Sequence, residues 1–193
     1  ALATNLTGYN YDFKKLVRDI CTSRTYQLST KTNETNEKDT TNFSHATLRR
    51  MRAEVLLDSI TQVTTTSNKF PGLPSGARAV QIANGNTSTY FLTTFGRAKR
   101  ETVCSCEVKM EPNPSQALHM LNGDTVNAKI AQGGLVATRI GEEVPHAKII
   151  EEIYIRCLTR KPTEKELTNL MELVSQEENK QQALEDVFWA LLN

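Results

Sequence analysis

Apolar residues recur at helical spacing along most of the chain, broken by polar and glycine-rich stretches. From Asp12 the first such pattern runs Phe13, Leu16, Val17 and Ile20, with Asp12 placed as its N-cap and residues 1–10 as a small, polar lead-in. Residues 29–45 (STKTNETNEKDTTNFSH) hold one large apolar side chain, Phe43, and no periodicity. Such a composition cannot bury enough surface to offset its ordering entropy, so it predicts a flexible internal loop, with a lid that orders on binding as the functional alternative. Residues 46–64 form the strongest amphipathic pattern: Leu48, Met51, Val55, Leu56, Ile60 and Val63 on one face, with Arg49, Arg50, Arg52, Glu54 and Asp58 on the other. That charged face reads either as solvated, with a favourable Arg50–Glu54 pair, or as the lining of a groove.

Further along, Pro71, Gly72, Pro74 and Gly76 mark a loop. Ala79–Ala83 has the composition of a short strand, and Tyr90, Phe91, Leu92 and Phe95 form the densest aromatic group, expected in the core. Asn113 followed by Pro114 opens a helix with Ala117, Leu118 and Leu121, which Gly123 stops. Asp124 caps a second, with Val126 and Ile130, ending at Gly133–Gly134. Three helices complete the chain. One opens at Pro145. The next follows a Thr163–Glu166 capping box. The last runs from about Gln181 to the apolar end FWALLN. These elements predict a mainly α fold: a single domain over residues 1–193, an irregular compact bundle of about six helices with long loops and room for one short strand pair near residues 79–92.

The chemistry concentrates in Thr94–Asp124. Here stand the closely spaced thiols Cys104 and Cys106, the basic residues Arg97, Lys99 and Arg100, and the acids Glu101 and Glu107. Arg97, Arg100, Cys104, Cys106, Glu107, Gln116, His119 and Asn122 are the candidate functional or structural cluster. Two thiolates are half a zinc site; Glu107, His119, His45 or His146 can supply the rest, but no spacing fixes them. Neighbouring Arg97, Lys99 and Arg100 favour thiolate and so a redox dithiol, while a bridge to Cys21 or Cys157 suits an oxidising compartment. Structural thiols or a structural disulfide are the plainest reading, because buried cysteines commonly act as small hydrophobes. The basic and acidic residues form either an anion site or a surface ion-pair cluster. Gln116, His119 and Asn122 fall three residues apart, placing three polar groups on one helical face.

Composition narrows the classes. The 193 residues are 38% hydrophobic, 23% charged and only 6% aromatic, which implies an aliphatic core. A formal net charge of +1 gives no reason to expect a nucleic-acid partner. No apolar run approaches the roughly 20 residues that cross a bilayer. Ala1 reads as a processing boundary, without a signal-peptide pattern. The common hydrolase, nucleotide, zinc-protease and calcium motifs are missing.

The run TFGRAKRETVCSCEVKMEPNPSQALHMLNGDTV resembles the signature of the planctomycete PSD-one family, a domain of unknown function. YDFKKLVRDICTSRTYQLS, LRRMRAEVLLDSI, IIEEIYIRCLTRKPTEKEL and LEDVFWALLN fit the same family in the same order, so the resemblance covers nearly the whole chain. The resemblance implies no established activity. It implies the C-terminal part of a longer, exported protein, periplasmic or at the cell surface, with a cytochrome-c-type domain upstream. Family members continue past ALLN into a short aromatic tail. Cys104-Ser-Cys106 followed by Glu107 departs from the C-x-x-C-H pattern of covalent haem, so a c-type haem would belong only to an upstream domain and no cofactor to this chain. The expected partners are other domains of the same polypeptide or another protein. A helical interaction or scaffold module follows; the alternative is part of an extracytoplasmic enzyme or electron-transfer protein, with a thiol or metal site around Cys104 and Cys106.

Overall fold

In the computed structural model, residues 1–102, 108, 111–122 and 124–193 are described, the side chains of Asn122 and Asp124 excepted. The chain divides into two compact units, Ala1–Arg50 and Met51–Asn193. The described residues form ten α-helices and one 3₁₀ turn, with no strand among them, so the fold is mainly α.

The first unit holds α1 (Leu2–Gly8) and α2 (Phe13–Thr22). The stretch read as a lead-in is therefore helical. Asp12 caps α2 as expected, accepting from the Lys15 amide at 3.1 Å. The polar stretch beyond holds no helix. It is built from local turns in which Asn33 and Asp39 carboxamide and carboxylate oxygens accept from amides two to five residues on. The Ser44 hydroxyl and those amides hold the Asp39 carboxyl well below the usual carboxylate range. No side chain of this unit is buried.

All of the buried core lies in the second unit. Helix α3 (Ala53–Val63) starts seven residues later than the periodicity suggests, so Leu48 and Met51 fall outside it and are exposed. Ala53, Leu57 and Ile60 form its buried stripe. After the loop at 64–78 comes the 3₁₀ turn Ala79–Gln81, where a strand was expected. Its cause is Asp58, a buried carboxylate on α3 that accepts from the amides of Ala79 and Val80 at 2.6 and 3.2 Å. A side chain capping two successive amides leaves them unavailable to a strand partner. The aromatic group then forms α4 (Tyr90–Thr94), capped by Thr89.

Helices α5 (Pro114–Asn122) and α6 (Asp124–Gly133) follow, with the Asn113 side chain accepting from the Gln116 amide as the sequence predicts. Gly134, left-handed at φ 60°, turns the chain directly into α7 (Leu135–Gly141), a seven-residue helix that no long periodicity announces. Then come α8 (His146–Leu158), α9 (Glu164–Gln176) and α10 (Lys180–Leu192). The Thr163–Glu166 box is formed in both directions. Helix α10 is the hub: it packs on α6, α7, α8 and α9. Ala183, Leu184, Val187 and Phe188 meet Ile149, Ile150, Ile153 and Val174 in one fully apolar cluster. Burial of a large aliphatic or aromatic side chain contributes about 1.5–3 kcal/mol, and this cluster holds several such burials. Outside it, Glu152 of α8 accepts from Arg139 of α7 and from Arg156, fixing α7 against α8.

Candidate functional site

The residues preceding Cys104 are tied down by one side chain. Arg97 follows Gly96, whose φ of 77° reverses the chain after α4. Its side chain is 2% exposed. The guanidinium donates to the carbonyls of Thr87 at 2.6 Å, Asn84 at 2.8 Å and Ile82 at 3.3 Å. Its Nε lies 3.3 Å from Glu54 Oε1 on α3, close enough to pair though off hydrogen-bond geometry. A planar fork of five donors suits such a task, since one residue can gather several carbonyls of a bent loop. Arg100 repeats the pattern, donating to the Ala83 carbonyl at 2.7 Å. Gly85 seals the contact: a Cβ there would stand 1.3 Å from the Lys99 carbonyl oxygen, so only glycine lets the two backbones meet.

Glu54 and Asp58, one turn apart on α3, thus face loop 78–97 rather than water. That charged face is not uniformly solvated: Glu54 meets Arg97 and Asp58 caps residues 79–80, while Arg49, Arg50 and Arg52 precede the helix and are exposed.

Helix α5 turns polar residues inward. Gln116 is buried and donates to the Thr94 carbonyl at 3.2 Å. His119 packs its ring against Tyr90, Phe91 and Phe95, with centroids 5.2–6.1 Å apart, while Nε2 meets the Thr125 hydroxyl at 3.0 Å. Gln116 and His119 thus face the domain. Leu118 and Leu121 are 59% and 47% exposed, and Tyr90 of α4 is 71% exposed. Pairing Gln116 with an otherwise open carbonyl at the end of α4 explains the inversion.

Beside His119 opens a cavity of about 380 Å³. Its described lining includes Leu57, Phe70, Tyr90, Phe91, Thr125 and Lys129. Lys129 is 8% exposed, and Nζ donates to Asn68 Oδ1 at 2.8 Å and Thr66 Oγ1 at 3.2 Å. Burial lowers the pKa of its ammonium. Sequence reasoning missed Lys129, although a signal existed: it sits between Val126 and Ile130 on the inward arc of α6.

Of the eight candidates, the structure brings Arg97 and Arg100 together on one loop, and Gln116 and His119 together beneath α4. Asn122 ends α5, and its side chain lies outside the described residues, as do Cys104, Cys106 and Glu107. His45 belongs to the first unit and His146 opens α8. Among the described residues no three His, Cys, Asp or Glu groups come together as a metal set. Cys157 of α8 is half-buried, and burial pushes its thiol up to about 11, the wrong direction for a reactive cysteine. No helix among the described residues is long and apolar enough to cross a membrane.

A family profile matches residues 1–174 as one unit, from the lead-in helix through most of α9; of the separated motifs only LEDVFWALLN lies beyond it. The chain belongs to the PSD1 family, "Protein of unknown function (DUF1553)". Within this PSD1 domain the FGR run is the Arg97 clamp, and NPSQALHMLN is the inverted helix α5. Neither the curated proteins nor the solved structures contain a match.

Proposed function

We propose that this PSD1 domain is a non-enzymatic helical interaction or scaffold module of an exported, cytochrome-associated protein, and that its docking partner is another domain of the same polypeptide. The observation that carries the reading is the orientation of α5. Its hydrogen-bonding face is spent inside the domain, while Leu118 and Leu121, three residues apart, look outward. Tyr90, in ring contact with His119 of the same helix, extends that apolar surface. Clustered exposed apolar groups on a folded domain mark interaction surfaces. The Arg97 clamp supports the same reading. Among the described residues its donor contacts end on backbone carbonyls and its carboxylate neighbour is Glu54, so the clamp stiffens α3, loop 82–87 and the end of α4 as the frame that presents the surface.

In this setting the domain carries no cofactor of its own, and a c-type haem belongs to an upstream domain, in the periplasm or at the cell surface. The test is a binding titration between the PSD1 chain and the separately produced remainder of its polypeptide. Leu118→Glu/Leu121→Glu is expected to weaken binding by more than tenfold with an unchanged melting temperature, because both side chains are exposed. Undiminished binding by that variant would overturn the reading.

A further inference from the structure

The cavity beside α6 has a chemistry that the docking surface does not use. Helix α6 contributes Thr125, Ala128, Lys129 and Gln132, spaced three, four and seven residues apart and so aligned on one face. Opposite stand the aromatic residues Phe70, Tyr90 and Phe91. Two lysines, Lys129 and the exposed Lys69, and one histidine line this space, and no acidic residue is among the described lining. Several other cations of the unit are paired with acids. Arg97, Arg139, Lys148, Arg156, Arg160 and Lys161 each lie within 4 Å of a carboxylate. Lys129, more buried than most of these, meets only the neutral acceptors Asn68 and Thr66. An ammonium has three donors, so one N–H of Lys129 has no acceptor among the described residues.

A buried cation with neutral partners and a spare donor is unfavourable unless an anion completes it. Lysine acts there as a point charge, which a single carboxylate oxygen satisfies. Flat aromatic walls on the other side suit a planar apolar body. The volume, about 380 Å³, falls in the lower part of the range for small-molecule sites, roughly 300–1,000 Å³.

We propose that this cavity binds a small organic carboxylate with a flat apolar body, its carboxylate on Lys129 and its body against Tyr90, Phe91 and Phe70. His119 and Gln132 at the margin orient the second oxygen. The cavity shares Tyr90 with the docking surface, but neither Leu118 nor Leu121 lines it, so the two readings are tested by different side chains.

Phenylacetate is the probe, titrated into the 193-residue chain by calorimetry and by ligand-observed NMR, beside the neutral isostere phenylacetamide and inorganic phosphate. Phenylacetate is expected to saturate one site, with contacts to the Tyr90 and Phe91 rings, and to bind at least tenfold more tightly than either comparison probe. Lys129→Met is expected to weaken it by on the order of ten- to a hundred-fold, the loss of one hydrogen bond to a charged group. Ala128→Phe fills the cavity while keeping the lysine, and must also abolish binding; it decides the matter if Lys129→Met does not fold. Equal binding of phenylacetamide or phosphate overturns the proposal. So does absence of saturation by phenylacetate, or unchanged binding in the folded variants.

Discussion

Replacing Arg97 by Met removes the clamp while keeping a long, apolar stem of similar reach. Three carbonyls, of Ile82, Asn84 and Thr87, then lose their donor, and Glu54, only part-exposed, loses its cationic neighbour. Hydrogen bonds from a charged donor contribute about 1.5–3 kcal/mol each, but they share one side chain and do not add. Removing one partner of a buried pair costs about 3–5 kcal/mol, and that is the loss expected here. Against a total stability of roughly 5–15 kcal/mol it shifts the folding equilibrium by about two to four orders of magnitude. Urea unfolding followed by fluorescence of Trp189, the single tryptophan, measures it. Arg97→Lys keeps the charge but loses the fork, so it should fall between wild type and Arg97→Met. In a cycle with Glu54→Gln the double variant should lose less than the sum of the two, because each single change strands the other group. A cost below about 1 kcal/mol for Arg97→Met, with an unchanged urea slope, would refute the reasoning.

Other outcomes follow from the same geometry. Phe188→Ala, at the centre of the α10 hub and fully buried, should cost about 3–5 kcal/mol in the same urea assay, and a cost near that of a surface change would displace α10 from its central role. Peptide mapping after iodoacetamide treatment at pH 8 should find exposed Cys21 alkylated well before Cys157, whose thiol burial holds at about 11. The Arg160 side chain first, then the Thr163 amide, hold the Glu166 carboxyl at about 2; Lys161 and Lys148 do the same for Glu151. Both folded values lie below the unfolded value of about 4.3, so their stabilisation is present above that pH and is lost as pH falls from about 4.5 toward 2. Being solvent-facing pairs, their share of the acid-induced drop is small; it should shrink further in Glu166→Gln, read from urea midpoints across that window.

What the sequence made legible was mostly local. Asp12, Asn113 and Thr163 announce their helices because a cap needs only residues three positions apart. The apolar stripes of α8 and α10 were readable because apolar packing dominates the contacts that orient them. The failures have tertiary causes. Leu48 and Met51 continue the rhythm of α3, yet the helix begins at Ala53. Ala79–Ala83 resembles a strand until Asp58, some twenty residues earlier, captures two of its amides. Helix α5 shows an apolar face that invites burial, but the Thr94 carbonyl claims Gln116, and with it the opposite face. Of the candidate cluster, Arg97 stands out in the sequence only as one charge among several, because its partners are carbonyls reachable only through the fold. Lys129 passed unseen because one lysine in an apolar arc resembles an exposed edge position until the neighbouring helices close around it.

The most direct test of the docking surface is a methyl NMR titration. The PSD1 chain, labelled at its leucine methyls, is titrated with the partner domain proposed for it. The expected result is a set of shifts centred on Leu118 and Leu121, with the core methyls of Leu57 and Leu184 unmoved. Shifts confined to other leucines, or none at saturating partner, would contradict an interaction module built on the outward face of α5.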